Sequence, residues 1–526
     1  MFKLLYLKVS RHPQLGTVEL PMVEQNEESN NLQPYTTVVI GANGTGKSYI
    51  LRTVAEIFRQ FKNYKETDEK DFRLPFNFHL RYKLDNNTFE IVTKSLVSID
   101  RKGEKRDYLF FKNRPWEKAF KDSNALFEKK TGFEVSHNEI EYPNKLIASS
   151  VMLNDRFTFA DNTPEDFYQY LGVRRTRSIT STQTFSRKTI RYLFDAKKSE
   201  TFIDDFSEML DFMGFEKYFK VHYNTKYNSL FFTGNLTITD FHNFYKEWWT
   251  SGHTNRKETN PLWGLWYYEK LTREKPSHFQ SIVDYLNSVA QNGSKVFHKP
   301  RSKSKRFELD LFNYEYSSKE YDFIEELIKL DILNLEGIKI QKKNNEFAIE
   351  QSSSGEYHLL ISLLGLYSKI EKSSLILIDE PEISLHPNWQ MRYINFLKKM
   401  FCKYSDCHFV LTTHSHFLVS DLKGESSSIL TLNRDFETNT LYSELLQGKD
   451  TYGWSAEEIL YKVFRVRTTR NSYLEEELRD LLHKIANKST DTNRMKEILY
   501  TLKKLKLSES DPMNLIIKKA EEYLNK

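Results

Sequence analysis

The stretch YTTVVIGANGTGKSYILRTVAEIFRQF, residues 35 to 61, constrains this chain more than any other. Tyr35 to Ile40 is β-branched and apolar apart from its threonines, as a strand covered on both faces requires. It runs directly into Gly41, Ala42, Asn43, Gly44, Thr45, Gly46, Lys47 and Ser48, which match G-x-x-x-x-G-K-S. Apolar residues at helical spacing follow. Strand, glycine-rich loop and helix in that order build a cradle for phosphate. The glycines let successive N–H groups turn toward phosphate oxygens, and the helix N-terminus adds its dipole. Lys47 is then expected to reach the β- and γ-phosphates of a nucleotide, and the Ser48 hydroxyl to ligate Mg²⁺. A chance glycine-rich turn is the alternative, and it leaves the flanking strand and helix unexplained.

Three further stretches carry candidate chemistry. In SSLILIDEPEISLHP, four apolar residues end in Asp379 and Glu380. A strand of a doubly wound sheet delivers its C-terminal residues to the ligand crevice. There Asp379 can hold Mg²⁺ through water, and Glu380 can deprotonate an attacking water. An acidic strand end facing solvent is the bland reading, but two adjacent carboxylates repel unless a cation lies between them. In LTTHSHFLV, His414 follows another apolar strand and is placed to sense a γ-phosphate, with His416 the neighbouring candidate and a purely structural histidine the alternative. In SSSGEYHLL, Ser354, Gly355 and Glu356 open an apolar helix. A serine hydroxyl and a glycine at a helix N-terminus allow close approach of an anion, while ordinary N-capping holds in either case.

Phosphate loop, Ser-Gly-Glu, Asp-Glu and histidine in this order resemble the ATP-binding-cassette (ABC-type) ATPases. DEPEISLHPNWQ and THSHFLVS are similar to their RecF/SMC-like and overcoming-lysogenization branch. The resemblance implies an α/β P-loop head using ATP and Mg²⁺. It also implies that Ser354, Gly355 and Glu356 cap the γ-phosphate held by an opposite subunit, so that two sites are completed only in a head-to-tail homo-oligomer. There are departures. IASS, with Ser149 and Ser150, followed by NDRF, stands where many such ATPases carry a Mg²⁺-sensing glutamine, and His386 in SLHP replaces a frequent acidic residue. The head, the insertion and the tail YGWSAEEILYKVFRVRTTRNSYLEEEL are similar to the PtuA family, ATPases of Septu-type and retron-associated anti-phage systems. That likeness implies slow ATP hydrolysis and a separate HNH nuclease partner of the PtuB kind. The tail lacks the clustered acidic strand ends of a Toprim nuclease, so the chain is not expected to cut DNA itself.

A chain of 526 residues exceeds one compact core. The texture divides into a first head segment (1–155), a mainly helical insertion (156–325), a second head segment (326–446) and a C-terminal helical region (447–526). FNFHLRYKLDNNTFEIVTKSLVSI reads as antiparallel strands turning at Asp85, Asn86 and Asn87, and LNLEGIKIQKKNNEFAIEQ as a hairpin. A net charge of +5 gives no global case for nucleic acid, so any DNA site must be a local patch. Arg174, Arg175 and Arg177, and Lys299, Arg301, Lys303, Lys305 and Arg306, are the candidate clusters, a solvated surface being the alternative. Trp248, Trp249, Trp263 and Trp266 read as packing a small core or burying a partner surface, with base stacking as the alternative. Cys402 and Cys407 cannot make a disulfide framework, which fits a reducing cytosol. Their spacing to His408 suggests zinc less than it suggests small residues flanking a strand. MFKLLYLKV reads as a strand rather than a leader, and no apolar run approaches the ~18 residues of a membrane span, so a cytoplasmic protein without membrane contact is expected. Three functions fit: an ATP switch controlling a partner nuclease in phage defence, a RecF-like DNA-repair clamp, or an ATP-binding scaffold with incidental hydrolysis.

Overall fold

A computed structural model describes the chain except residues 25–31, 65–73, 101–102, 116–131, 153, 161–162, 164, 173–181, 197–198, 226–227, 251–260, 293–296, 299–305, 313–317, 384, 421, 423, 436, 448–450, 452, 465, 467–470, 488–490, 506, 508–510, 512 and 525–526. The chain divides into two compact units, Met1–Gly453 and Trp454–Lys526.

The apolar runs that follow no alternation become the middle of a seven-stranded sheet. Its order is Leu441–Gln447, Ser427–Arg434, Tyr35–Gly41, His408–Thr413, Leu375–Asp379, Leu146–Ser150 and Tyr168–Tyr170. All neighbours are parallel except the first pair, which is antiparallel. Asp379 lies opposite both Thr412 and Ser150, and Thr413 opposite Ile40. The central strands therefore finish level, and their C-terminal ends form one rim.

An antiparallel sheet covers one side, in the order Gly16–Pro21, Phe2–His12, Asn77–Leu84, Asn87–Asp100, Gly103–Lys112 and Glu134–Val135. The turn expected at Asp85 is present: Leu84 pairs with Asn87, and Asp85 takes the left-handed conformation with φ 52°. One core joins both sheets to the helix Lys47–Lys62, with Phe2, Phe58, Phe61 and Tyr82 meeting Leu375, Leu377 and Val410. Each fully buried phenylalanine there contributes roughly 1.5–3 kcal/mol. The helix that carries the phosphate loop is thus fixed from both faces.

His408 ties the two sheets together. Its Nδ1 accepts the Leu4 N–H at 2.9 Å, so Nε2 carries the proton and donates to Thr37 Oγ1 at 2.9 Å. Both ring nitrogens are occupied, Cys402 is exposed and Cys407 buried, and no cluster of three metal-ligating side chains occurs among the described residues. Burial pulls His408 down to about 3, and burial with the nearby Arg52 charge pulls His12 down to about 4. Below roughly pH 6.5 the unfolded chain takes up protons that the fold refuses. Stability should accordingly fall as pH drops from about 6.5 toward about 4, read as a falling melting temperature, and a smaller fall in His408→Gln. A melting temperature level across that window would rule this out.

The insertion holds the helices Thr182–Ala196, Phe202–Phe212, Ile238–Thr250, Pro261–Glu274, Pro276–Asn292 and Ser318–Lys329. It also holds the strands Phe219–Thr225, Phe297–His298 and Arg306–Asp310. These join the hairpin Leu333–Lys342 and Asn345–Ala348 in a five-stranded antiparallel sheet. Its first two helices pack on the second head segment. Asp195 pairs with Lys369 at 2.6 Å, and Phe212 stacks on Phe396 at 3.9 Å. Tyr192 lies so close to Gly365 that a Cβ there would meet the ring at 2.9 Å. Of the two readings of the tryptophans, a small core or a partner surface, the first fails at Trp266, which does not join a core. Trp266 is 48% exposed with Lys270 beside its ring, and the local core is built by Phe241, Tyr245, Tyr268 and Phe279 instead. The side chains of Trp248, Trp249 and Trp263 lie outside the described residues, as do Arg174, Arg175, Arg177, Lys299, Arg301, Lys303, Lys305 and the side chain of Arg306.

The unit Trp454–Lys526 carries the helices Ala456–Lys462, Ser472–Ala486, Thr492–Lys503 and Met513–Leu524. Ser455, Asn471 and Asp491 cap the first three, and Leu481, Met495, Ile498, Leu502 and Met513 form its core. No helix among the described residues is long and apolar enough to cross a membrane.

Candidate functional site

The site is assembled at the rim where the parallel strands end. Gly46 caps the helix with φ 91°, and a Cβ at that position would stand 2.5 Å from Leu15 Cδ2, so only glycine fits. Thr45 Oγ1 donates to the Ala42 carbonyl at 2.9 Å and tightens the loop. Ala42, Asn43 and Gly44 are left exposed at its crest. Lys47 is buried beneath them, donating to the carbonyls of Gly41 at 2.9 Å and Ala42 at 3.4 Å. Burial pulls its ammonium down to about 8, against the pull of Glu380, Glu382 and Asp379.

Ser48 Oγ donates to Asp379 Oδ1 at 2.9 Å, and Thr412 Oγ1 donates to the same oxygen at 2.5 Å. Burial pushes the Asp379 carboxyl up from its ordinary value. A hydroxyl and a carboxylate in contact are hard oxygen donors, and a divalent cation beside them would offset that desolvation. Ser48 and Asp379 therefore fit Mg²⁺.

Glu380 takes φ 48°, a left-handed conformation that a non-glycine residue adopts only under constraint. The constraint is visible: the Glu380 N–H donates to the Thr412 carbonyl at 3.2 Å and lies 3.3 Å from Thr412 Oγ1, which holds the backbone left-handed although the following Pro381 favours an extended one. The side chain is thereby turned toward His414, whose Nε2 lies 3.3 Å from Glu380 Oε1. Lys47 Nζ lies 3.3 Å from His414 Nδ1, and an ammonium only donates, so Nδ1 accepts and Nε2–H faces the carboxylate. The bond to His414 holds the Glu380 carboxyl below its ordinary value, although burial opposes this. Lys47, His414 and Glu380 thus form one run of contacts and Ser48 and Asp379 a second, with Thr412 Oγ1 between them, bonded to Asp379 and 3.3 Å from the Glu380 N–H.

The Ser-Gly-Glu segment is separate from these contacts. Ser353 caps the helix Ser354–Lys369, accepting the Glu356 N–H at 3.2 Å, and Glu356 accepts the Ser353 N–H at 2.8 Å in return. Glu356 also pairs with Lys342 at 2.7 Å, so its carboxylate is committed within its own chain. Ser354 is exposed at the helix start and Gly355 is buried. Among the described residues, none of their hydrogen bonds reaches the phosphate loop. Ser149 and Ser150 are buried opposite Ile378 and Asp379, where Ser150 Oγ accepts the Met152 N–H at 3.2 Å. His386 caps the helix Pro387–Met400, and His416 opens the short helix His416–Ser420 with its ring against Phe417.

Four residues at the rim are not singled out as site residues from the sequence. Thr412 supports Asp379. Glu382 accepts the His414 main-chain N–H at 2.6 Å, and Gln390 accepts from the Ser415 hydroxyl at 2.6 Å. Asp155, in NDRF, accepts from the Tyr170 hydroxyl at 2.6 Å, and its charge acts on Asp379. The paired threonines closing an otherwise apolar strand were the available signal for Thr412.

A profile of the AAA ATPase domain matches residues 25–419. The chain belongs to this AAA ATPase family. It is 21% identical over 422 residues to the "Retron Vc95 probable ATPase" of Vibrio cholerae serotype O1 biovar El Tor, covering 75% of this chain and 68% of that protein. It is 27% identical over 197 residues to the Septu protein PtuA of Bacillus thuringiensis, covering 34% of this chain and 47% of PtuA. With the "Retron Ec83 probable ATPase" of Escherichia coli it shares 23% identity over 158 residues, 28% of this chain and 26% of that protein. The chain thus spans about two thirds of the first relative and less than half of the other two. Among solved structures it is similar to the Smc head domain of Pyrococcus furiosus bound to the C-terminal domain of ScpA. That match has 12% identity and a TM-score of 0.33, and covers 88% of this chain and 100% of the other. The SMC head domain of Thermotoga maritima matches with 9% identity and a TM-score of 0.34, over 85% of this chain and 99% of the other.

In this AAA ATPase family member the rim brings together groups of the kinds that phosphoryl transfer to water uses. There is a cation and a helix N-terminus suited to phosphates, oxygen donors suited to a metal, and a carboxylate with a lowered pKa beside an imidazole.

Proposed function

We propose that this chain binds ATP with Mg²⁺ at Gly41–Ser48, hydrolyses it slowly, and uses the cycle to control a partner nuclease in anti-phage defence. The observation that carries the reading is the contact chain Lys47, His414 and Glu380 beside Ser48 and Asp379. Lys47 would leave its loop carbonyls for the β- and γ-phosphates, and Ser48 and Asp379 would hold the metal. When bound by Ser48 and Asp379, Mg²⁺ would supply charge neutralisation to the phosphates. Glu380 takes a proton from the attacking water, and His414, fixed against it, registers whether a γ-phosphate is present. The retron and Septu proteins among its relatives support the defence setting, and the Septu likeness supports a nuclease partner, which we take to be a separate protein of the HNH kind. The chain itself is read as no nuclease. DNA contact, if this assembly makes it, falls to the basic clusters of the insertion.

Ser354, Gly355 and Glu356 are read as completing the site of a second copy. Support comes from the helix start at Ser354, which is exposed, polar and capped, while the Glu356 side chain is engaged with Ser353 and Lys342. A helix N-terminus of that kind receives an anion from outside. Ser354→Asp tests this, since it suits the helix start but sets a carboxylate against the opposing γ-phosphate. ATP affinity of the single chain should stay within about threefold, while ATP-dependent assembly and turnover are lost. Turnover by a strictly monomeric protein, or a Ser354→Asp variant that assembles normally, would sink the shared site.

A further inference from the structure

We infer that Glu382, with Gln390 behind it, is a positioning residue for hydrolysis: together they clamp the His414–Ser415 turn so that the imidazole stays against Glu380. The inference rests on the hydrolytic reading above and adds to it a group that never touches nucleotide.

His414 stands on a turn just past a strand end, with about a third of its side chain exposed to solvent (35%). At such exposure, side-chain packing is a weak constraint on an imidazole. Two side chains from the segment after Asp379 fix the turn instead. Glu382 Oε1 accepts the His414 N–H at 2.6 Å. One residue on, the Ser415 hydroxyl donates to Gln390 Oε1 at 2.6 Å, and Gln390 Nε2 is itself held by the Leu385 carbonyl at 2.8 Å. The segment that carries the water-activating carboxylate therefore also grips the main chain of the histidine that faces it. Glu380 and His414 keep their 3.3 Å separation because both are referred to the same stretch, residues 380 to 390.

The form of the Glu382 site favours this role over a stabilising one. Glu382 is 9% exposed, and its second oxygen, Oε2, is buried with no hydrogen-bond partner among the described residues. Burial pushes its carboxyl up from the ordinary value. A carboxyl that gives up solvation for the His414 N–H and a weaker interaction with the Thr413 hydroxyl, which together do not offset its burial, is a poor way to stabilise a loop. It is a direct way to fix one N–H, and displacements of about 1 Å at a reacting centre can cost on the order of 100-fold in rate.

The test compares Glu382→Ala, Glu382→Gln and Gln390→Ala in the full chain, with ATP affinity and steady-state turnover measured on each. Glu382→Ala should lower kcat on the order of 10- to 100-fold while KM and ATP affinity stay within about threefold. Glu382→Gln keeps an acceptor for the His414 N–H and should restore most of kcat. Gln390→Ala should fall in the same direction by less, and it covers the case in which Glu382→Ala does not fold. Parental kcat in the alanine variant, equal damage in the glutamine variant, or ATP affinity lost in step with kcat would each overturn the clamp. A structure of Glu382→Ala reads the turn without relying on turnover. His414 displaced from Glu380 upholds the clamp even if the parental chain proves inactive, which would instead refute the hydrolytic reading. An unmoved turn overturns the clamp in every case.

Discussion

Glu380→Gln will lower ATP turnover on the order of 10²- to 10⁴-fold, the range typical of removing a general base, and will leave ATP bound. Several observations set that magnitude. The carboxyl is held below its ordinary value by the His414 bond, so it is ionised and able to take a proton at neutral pH. It is aimed by a left-handed backbone that the Thr412 carbonyl holds through the Glu380 N–H, so a replacement side chain will occupy the same place. Glutamine keeps that shape and can still meet His414, but it cannot accept the proton of a water. Lys47, Ser48 and Asp379 are untouched, so the phosphates and the metal retain their partners. The expected result is an accumulating ATP-bound assembly. Weighing the variant with and without ATP, alone and co-expressed with a neighbouring nuclease, would show a larger ATP-dependent complex than the parental chain gives. Turnover at the parental rate would remove Glu380 from its role. An ATP-bound variant that never retains a nuclease would leave the ATPase standing and remove the effector.

How much of this was legible depends on how locally each feature is encoded. The strands Tyr35–Gly41, Leu375–Asp379 and His408–Thr413 announce themselves because a strand covered on both faces must be apolar throughout, and all three are buried almost end to end. The glycine at 46 is equally local, since its φ belongs to the loop itself. The five-stranded sheet is different. Phe219–Thr225 pairs with Leu333–Lys342, over a hundred residues later, and half of its pattern is set by a partner that a window along the chain never includes. The core half of the reading of Trp266 fails for a related reason. Four tryptophans close in sequence suggest a common core, but helix phase decides which face each occupies, and this one faces solvent beside Lys270. Glu382 shows the remaining limit. Next to Glu380 it reads as one more acid, and only the return of the chain at His414, thirty-two residues on, gives its carboxyl an N–H to accept.

Lys47→Ala should abolish nucleotide binding at ordinary ATP concentrations, and with Glu380→Gln it decides between a switch and a scaffold. Lys47 is the cation beneath the loop, reaching the Gly41 and Ala42 carbonyls and His414 from one buried position. Hydrogen bonds to charged groups contribute roughly 1.5–3 kcal/mol each. Losing two of them to the phosphates weakens binding on the order of 10²- to 10⁴-fold. Truncation also leaves Asp379, Glu380 and Glu382 without the positive charge that stands among them, so the repulsion toward a triphosphate grows as the attraction is lost. Equilibrium binding of a fluorescent ATP analogue reads this directly, and an affinity within about tenfold of the parental chain would show that the loop does not depend on its lysine. The two variants then separate the functions. If both abolish phage defence, hydrolysis is the signal and the chain is a switch. If Lys47→Ala abolishes it and Glu380→Gln does not, bound ATP alone completes the assembly, and the histidine and its carboxylates serve only to time its release.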